Sequence, residues 1–413
     1  MRIIADLHLH SKYSRACSRD LDLEHIHQWC QYKGINLVGT ADFTHPAWFK
    51  EIKTKLSDDG SGLYQLKNYS DQIKFILSTE ISCIYSQGGQ MRRLHICLLV
   101  PSLATVEKII ANFEKRNFNL QADGRPIIGL SAKALAEIVL EIDSQSLIIP
   151  AHAWTPWFAV FGSKSGFDSL KECFEDLTPQ IYSIETGLSS DPPMNWQLSA
   201  LDNITLISNS DAHSPANLGR EANVFEIEQN KFNYQEIYRI IKEKDQNKFL
   251  YTIEFFPEEG KYHIDGHANC NYSCLPAVSK RNNNLCPVCK KPLTLGVLHR
   301  VNDLADRQQA DSGSQIPFRH LIPLQEIIAA TLAVNKSSKK VANLYFNLVK
   351  KIPEFNLLLD SSETELKKIA GDEITDSIIK MRAGKINIEP GYDGIFGKIS
   401  VNQKLSPQQK SLL

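Results

Sequence analysis

The chain has 413 residues, 46 Lys and Arg against 47 Asp and Glu, and is 42% hydrophobic and 23% charged. That composition excludes a collagen-like or disordered chain, and the balanced charge excludes a surface that is basic throughout, so any nucleic-acid contact must be local. No apolar run approaches the ~18 residues of a spanning helix, and Met1-Arg2-Ile3-Ile4-Ala5 leads into a strand rather than a signal sequence; the expectation is a soluble cytoplasmic protein of two or three domains.

From Met1 to about Phe256, short apolar runs alternate with amphipathic stretches, the pattern of repeated strand–helix units. Predicted strands are Ile3–Ala5, Leu37–Thr40, Phe75–Ser78, His95–Val100, Leu147–Ile149, Ile181–Ile184 and Thr205–Ser208. Helices are predicted at Leu23–Tyr32, Ala104–Lys115 and Ala132–Asp143. A barrel or an open parallel sheet follows, and in both the carboxyl ends of the strands are where distant side chains converge.

Those ends carry the chemistry. The first strand runs into Asp6-Leu7-His8-Leu9-His10, and residues two apart on an extended chain share a face, so both imidazoles suit one metal. Asp42, His45, Glu80, His95, His152, Glu185, Asp211 and His213 follow at later ends. One histidine at a strand end is more often structural than ligating, but the whole set is hard to explain that way. Imidazole and carboxylate together suit zinc, manganese or iron. In Asp191-Pro192-Pro193, Asp191, or Glu185 just before it, could orient a water or protonate a leaving oxygen; a capping Asp on a rigid Pro-Pro loop is an equal reading. The loop after His152 holds Trp154, Trp157, Phe158, Phe161 and Lys164, which either stack on bases and hold phosphate or pack as a lid.

Nine cysteines in a long chain without a secretory signature favour metal over disulfides. Cys270-x3-Cys274 and Cys286-x2-Cys289 form two thiol hooks that predict a four-cysteine structural zinc site in a small ribbon. Between Gly266 and Asn302 there is no acidic residue, while Lys280, Arg281, Lys290, Lys291 and Arg300 are basic. This predicts a local phosphate-binding face. Asn302–Gln315 reads as a linker. Beyond Pro323, helices are expected at Leu324–Val334, Lys339–Lys350, Thr364–Ile369 and Glu373–Arg382, then a hairpin around Pro390-Gly391-Tyr392-Asp393-Gly394. The domains expected are 1–256, 257–302 and 316–413.

The ordered set HxH, acidic/His pair, Glu, His, His and DxH resembles the polymerase-and-histidinol-phosphatase (PHP) family over about residues 1–256. The resemblance implies a distorted (βα)7 barrel holding two or three divalent ions (Zn, Mn or Mg). By position, His8, His10, Glu80 and Asp211 would hold one ion, Glu80, His95 and His152 a second, and Asp42 and His213 a third. The family's Thr-Asp-His is here Thr40-Ala41-Asp42-Phe43-Thr44-His45, so either Asp42 or His45 is the ligand. Such a cluster lowers the pKa of bound water and neutralises phosphate, which is phosphoester hydrolysis.

With the cysteine ribbon and the Pro390-Gly391-Tyr392-Asp393-Gly394 tail, nearly the whole chain resembles the endonuclease Q branch of that family. This implies a DNA repair nuclease that cuts double- or single-stranded DNA 5′ to hypoxanthine, uracil, xanthine or abasic sites, with Trp154, Trp157, Lys164, Lys280, Arg281, Lys290 and Lys291 on the DNA. The rivals are a small-molecule phosphatase of the histidinol-phosphate type, a metal-degenerate binding module and a nonspecific nuclease. Nothing in the sequence supports a replication-clamp partner.

Overall fold

The computed structural model describes residues 1–69, 73–308 and 315–401. Residues 309–314 of the expected linker and 402–413 of the expected C-terminal domain lie outside the described residues. The chain forms two compact units. One comprises Met1–Cys30, Ile35–Ile253 and Leu304–Arg319, the other Gln31–Gly34, Glu254–Asp303 and His320–Leu413.

The first unit is a mixed α/β structure around a central sheet. In chain order it contains β1 (Arg2–Asp6), α1 (Leu23–Lys33), β2 (Leu37–Gly39), α2 (Pro46–Lys55), β3 (Leu56–Asp58), β4 (Tyr64–Leu66), β5 (Lys74–Gln87), β6 (Gln90–Val100) and α3 (Leu103–Lys115). There follow β7 (Ile127–Ile128), α4 (Ala132–Ile142), β8 (Leu147–Pro150), α5 (Leu170–Phe174), β9 (Ser183–Glu185), α6 (Pro192–Asn195), β10 (Thr205–Ile207), β11 (Ala222–Glu226), α7 (Tyr234–Glu243) and β12 (Phe249–Glu254). All seven expected strands are present, as β1, β2, β5, β6, β8, β9 and β10. β1, β2 and β5 run parallel, as do β9 and β10.

The departures from a parallel barrel have local causes. Gly88 and Gly89 take positive φ, 61° and 75°, and only glycine does so freely in a tight reversal. β6 therefore returns antiparallel to β5 over eleven residue pairs, Leu77↔Val100 to Gln87↔Gln90, and β8 pairs antiparallel with β6. On the other flank β11 pairs antiparallel with β1, and β12 with β11, two strands the sequence reading did not separate. Alternation along β1 and β2 sends Ile3, Ala5 and Leu37 into a core with Ile76, Leu99, Ile149, Ile207 and Phe225. Each Ile, Leu or Phe among them contributes about 1.5–3 kcal/mol relative to exposure. Helices begin where the sequence offers a side-chain acceptor: Ser102 caps α3 and Ser131 caps α4.

In the second unit, strands Asp265–His267 and Tyr272–Cys274 form a hairpin in register Asp265↔Cys274 and His267↔Tyr272. Helices follow at Leu324–Thr331, Lys339–Val349, Glu363–Ala370 and Asp372–Arg382, and strands Asn387–Glu389 and Lys398–Ser400 form the closing hairpin. The sequence reading had no counterpart for the π-helical turn Asn356–Asp360. Here the Glu354 carboxylate accepts from the Lys33 ammonium (2.7 Å), the Tyr345 hydroxyl (2.7 Å) and the Leu324 amide (2.9 Å), so the buried carboxylate has three donors. Asp393 joins the closing hairpin to the cysteine segment, accepting from the Ala268 amide at 2.6 Å and the Thr294 hydroxyl at 2.5 Å. None of the described helices is long and apolar enough to cross a membrane.

Candidate metal centre

His8 and His10 leave the end of β1, Glu80 sits on β5 and His95 on β6, His152 follows β8, Glu185 ends β9, and Asp211 follows β10. Among the described residues this centre holds three donor groups; two consist of histidines with a ligating carboxylate, His8 with His10 and Asp211, and Glu80 with His95 and His152, and the third is His8 with Cys97 and Glu185; within each, the donor atoms lie within 4.8 Å of one another. Glu80 links the first two. Its Oε1 is 2.8 Å from His95 Nδ1 and 3.1 Å from His152 Nε2, while Oε2 is 3.3 Å from His10 Nε2 and 3.7 Å from His8 Nε2.

The donor atoms themselves test the fit to a metal. His8 Nε2, His10 Nε2 and Asp211 Oδ1 are buried without a hydrogen-bond partner, although His10 Nε2 stands only 3.0 Å from Asp211 Oδ1. Desolvated nitrogen and oxygen atoms that crowd one point without bonding each other cost ~1–3 kcal/mol apiece, unless a cation takes their lone pairs. The nitrogen and carboxylate set suits a divalent ion.

Behind His8, His10 and the Asp211 loop stand further carboxylates. The far nitrogen of His8, Nδ1, bonds Glu185 at 2.9 and 3.0 Å. That carboxylate also accepts from the His152 amide (3.0 Å) and the Asn209 side chain (2.8 Å). His10 Nδ1 lies 3.3 Å from Asp42 Oδ1, and Asp42 Oδ2 accepts from the Ser11 amide, the Ser11 hydroxyl and the Ser14 hydroxyl, each at 2.7 Å. Asp6 accepts from the Ser210 amide (3.0 Å) and the Gly219 amide (2.9 Å), fixing the loop that carries Asp211. Asp42, His152 and Asp211 adopt left-handed backbone at φ 38°, 32° and 47°.

The electrostatics follow from this packing. Burial pushes the Glu80 carboxyl up, but the charges of His95, Arg125 and His8 outweigh it and hold the group well below the carboxylate range. Burial lowers the His95 imidazole to about 4, against the pull of Glu80. Burial raises Asp6 to about 6 despite its hydrogen bonds to Ser210 and Gly219.

Several expected site residues take other places. Asp42 backs His10 and is in neither ligand group. His45 caps α2, its Nδ1 accepting from the Trp48 amide, and stacks on Tyr13 at 4.4 Å; the two residues inserted between Asp42 and His45 carry its ring onto the helix start. Glu185 has both oxygens bonded, to His8, the His152 amide and Asn209. Asp191 caps α6 by accepting from the Met194 amide at 3.0 Å, the capping reading of the Pro-Pro loop. His213 remains at the rim, one-third exposed, its Nδ1 2.9 Å from the Asp211 carbonyl and its ring 4.5 Å from that of His10.

Trp154 is 1% exposed, donates to Asn195 at 2.7 Å and packs on Phe161, so it is a core residue and not a surface for bases. Trp157 (43% exposed) and Lys164 remain at the surface. Phe158, at φ 61°, sets its ring 4.7 Å from that of His95. Cys97, beside His8 and Glu185, and Arg125, bonded to Glu80, were not singled out in the sequence. Both come from positions that only the fold brings to the site.

In the cysteine segment the four converging donors are His267, Cys270, Cys286 and Cys289. His267 takes the place expected for Cys274. Cys274 pairs with Asp265, a two-residue step along the hairpin from the His267↔Tyr272 pair, which is ~6–7 Å on a strand. Spacing held the signal: His267-x2-Cys270 repeats Cys286-x2-Cys289. Burial pushes the Cys286 thiol up, but amides of Cys289 and Val288 more than offset it and bring the group to about 7, which favours the ligating thiolate. Of the expected basic face, Arg281, Lys290 and Lys291 are exposed, whereas Lys280 is paired to Asp303 at 2.8 Å, just beyond the acid-free stretch.

Residues 323–385 match the family described as the MJ0043 C-terminal domain. The Methanocaldococcus jannaschii protein MJ0043 is 33% identical over 272 residues, which is 63% of this chain and 33% of that protein, so the chain spans about a third of that relative's length. The structure is similar to that of PfuEndoQ, a lesion-specific endonuclease from Pyrococcus furiosus, with a TM-score of 0.86 and 30% identity over 100% of this chain and 99% of that one. It is also similar to endonuclease Q in complex with a 27-mer duplex substrate bearing an abasic lesion at the active site, with a TM-score of 0.84 and 31% identity over 98% of this chain and 97% of the other. Identity of this order, sustained from end to end of both chains, makes this protein a member of the endonuclease Q family.

Proposed function

We propose that this chain is a DNA repair endonuclease that hydrolyses the phosphodiester 5′ to deaminated bases (hypoxanthine, uracil and xanthine) and to abasic sites. The observation that carries the reading is Glu80, one carboxylate in reach of four imidazoles that belong to two ligand groups. His8, His10 and Asp211 would hold one divalent ion and Glu80, His95 and His152 a second, with Zn, Mn and Mg the candidates. His213 stands near enough to His10 to serve a third. Such ions activate water and neutralise the phosphate at neutral pH.

The chain's own residues do the rest. Glu185 and Asp42 orient His8 and His10, and Phe158 packs beside His95. In the hydrolysis, water oxygen bonds to phosphorus, the bond from phosphorus to the 3′ oxygen breaks, and a proton ends on that oxygen, leaving 3′-hydroxyl and 5′-phosphate ends. Selecting a deaminated base by extrusion is physically reasonable, because a mismatched pair costs less to open. The second cluster, His267 with Cys270, Cys286 and Cys289, would hold one structural zinc, with Arg281, Lys290 and Lys291 on the DNA backbone. The cytoplasm is the compartment consistent with that substrate.

End-labelled duplexes carrying one deoxyinosine, one deoxyuridine, one abasic site or no lesion, incubated with Mg²⁺, Mn²⁺ or Zn²⁺, test this. Cleavage immediately 5′ to the lesion, lost in the Glu80→Ala, Asp211→Ala double variant, is expected. Equal cutting of the undamaged duplex would reduce the reading to a nonspecific nuclease, and no cutting with any ion would reject it.

A further inference from the structure

Arg125 belongs to neither ligand group, yet its Nη1 donates to Glu80 Oε2 at 2.9 Å. It stands on the segment between α3 and β7, and that segment is pinned on both sides. The Gly124 amide donates to the Tyr13 carbonyl at 3.0 Å, and a Cβ at Gly124 would come within 2.2 Å of Asp42 Oδ2 and 2.3 Å of Ser14 Oγ. Asp123 Oδ1 accepts from the Arg125 and Arg15 amides, each at 3.2 Å, and the Pro126 carbonyl accepts from the Ser82 amide at 3.0 Å, one step before Ile127 joins β5. The backbone that carries Arg125 is therefore fixed, and its guanidinium is held against Glu80.

Glu80 has two oxygens and five cationic or imidazole claimants. Divalent ions on the histidine nitrogens would take its lone pairs and leave the guanidinium a weaker hold on it. Arg125 keeps 24% of its side chain exposed where Glu80 has none, so it faces outward from the cluster. A guanidinium offers five donors in a planar fork, and Glu80 takes one. No second carboxylate lies within ion-pair distance of it among the described residues. A cation fixed at the mouth of a site that handles phosphoesters, with donors to spare, is matched by one chemical partner, a tetrahedral phosphate oxygen.

We infer that Arg125 clamps a non-bridging oxygen of the scissile phosphate, a subsite additional to the metal ligands. The inference rests on the hydrolase reading above, and its test separates the two. Arg125→Ala and Arg125→Lys chains, loaded with Mn²⁺ alongside the unaltered chain, are compared by bound metal per chain, by calorimetric titration with inorganic phosphate, and by kcat and KM on the deoxyinosine duplex.

Unchanged metal content, phosphate affinity lower by about tenfold or more in Arg125→Ala and partly restored in Arg125→Lys, and kcat lower by about 10²–10³-fold are expected for a lost transition-state donor. Metal loss that parallels the activity loss would overturn the inference and make Arg125 a support for Glu80. Unchanged phosphate affinity in Arg125→Ala, or no phosphate binding by the unaltered chain, would also overturn it. Phosphate binding that depends on Arg125 in a chain that cuts no duplex would uphold the subsite and reject the DNA reading. Should Arg125→Ala not fold, the same comparison made with Arg125→Lys decides.

Discussion

At the scale of single residues, the carboxylates of the centre divide by which face of an imidazole they meet. Glu80 and Asp211 meet Nε2 of His8 and His10, whereas Glu185 and Asp42 meet Nδ1 behind them. An anchor of this kind fixes the tautomer and ring angle and raises ligand basicity. Glu185→Gln is therefore expected to weaken metal binding about 10–100-fold without unfolding the chain. Chelator competition reads the affinity and circular dichroism the fold; an unchanged affinity would remove Glu185 from this role. In the second cluster, His267→Ala is expected to release zinc to a chromogenic chelator far faster than the unaltered chain, and Cys274→Ser to retain it. The reverse ranking would restore the four-cysteine arrangement. The HxH pair was legible in the sequence because strand alternation alone decides it. Asp42, His45, Glu185 and Asp191 were not, since each stands at or beyond a strand end and only the fold decides whether it faces the ions, backs a ligand or caps a helix.

At the scale of elements, the loop after His152 separates two tryptophans three residues apart. Trp154 fills space between Phe161 and Asn195, and Trp157 lies at the surface. Trp154→Ala is expected to cost about 3–5 kcal/mol of stability, a large buried ring removed without replacement. Trp157→Ala is expected to leave stability within about 0.5 kcal/mol, as exposed substitutions do. Urea unfolding of the two variants reads the difference, and equal losses would contradict the assignment of either ring. Aromatic content could not separate them, because a core ring and a base-stacking ring have the same composition. The seven strands of the first unit were legible from apolar runs bounded by polar turns. The antiparallel course of β6 was written in Ser86-Gln87-Gly88-Gly89-Gln90, a hairpin signal, but the weight given to repeated strand–helix units hid it. β11 and β12 were not among the predicted strands.

At the scale of the whole molecule, one carboxyl gives stability a pH dependence of known sign. Burial, then the charges of Glu326 and Glu258, push Glu259 up to about 8. A carboxyl whose folded value lies above its unfolded one binds its proton more tightly when folded, so stability falls as pH rises from the ordinary carboxyl range, ~4.3, to about 8, and levels beyond. Glu259→Gln removes the titration. It is expected to raise the melting temperature at pH 8 and to change it little at pH 5 in scanning calorimetry. An equal gain at both pH values would assign the effect to packing. No reading of the sequence could supply this, because Glu326 is far along the chain from the pair Glu258 and Glu259.

Asp42, His152 and Asp211 sit on left-handed backbone, which costs a residue with a Cβ something even though Asp, Asn and His enter it more readily than most. The chain is thus less robust than its own fold would allow. A population of variants selected for heat resistance alone would drift toward Asn at Asp211, whose crowded Oδ1 has no hydrogen-bond partner, and would keep Asp42, whose carboxylate holds Ser11 and Ser14, gaining melting temperature while dismantling the centre. The positions where thermal selection and catalytic selection pull apart would mark the active site without any assay of cutting.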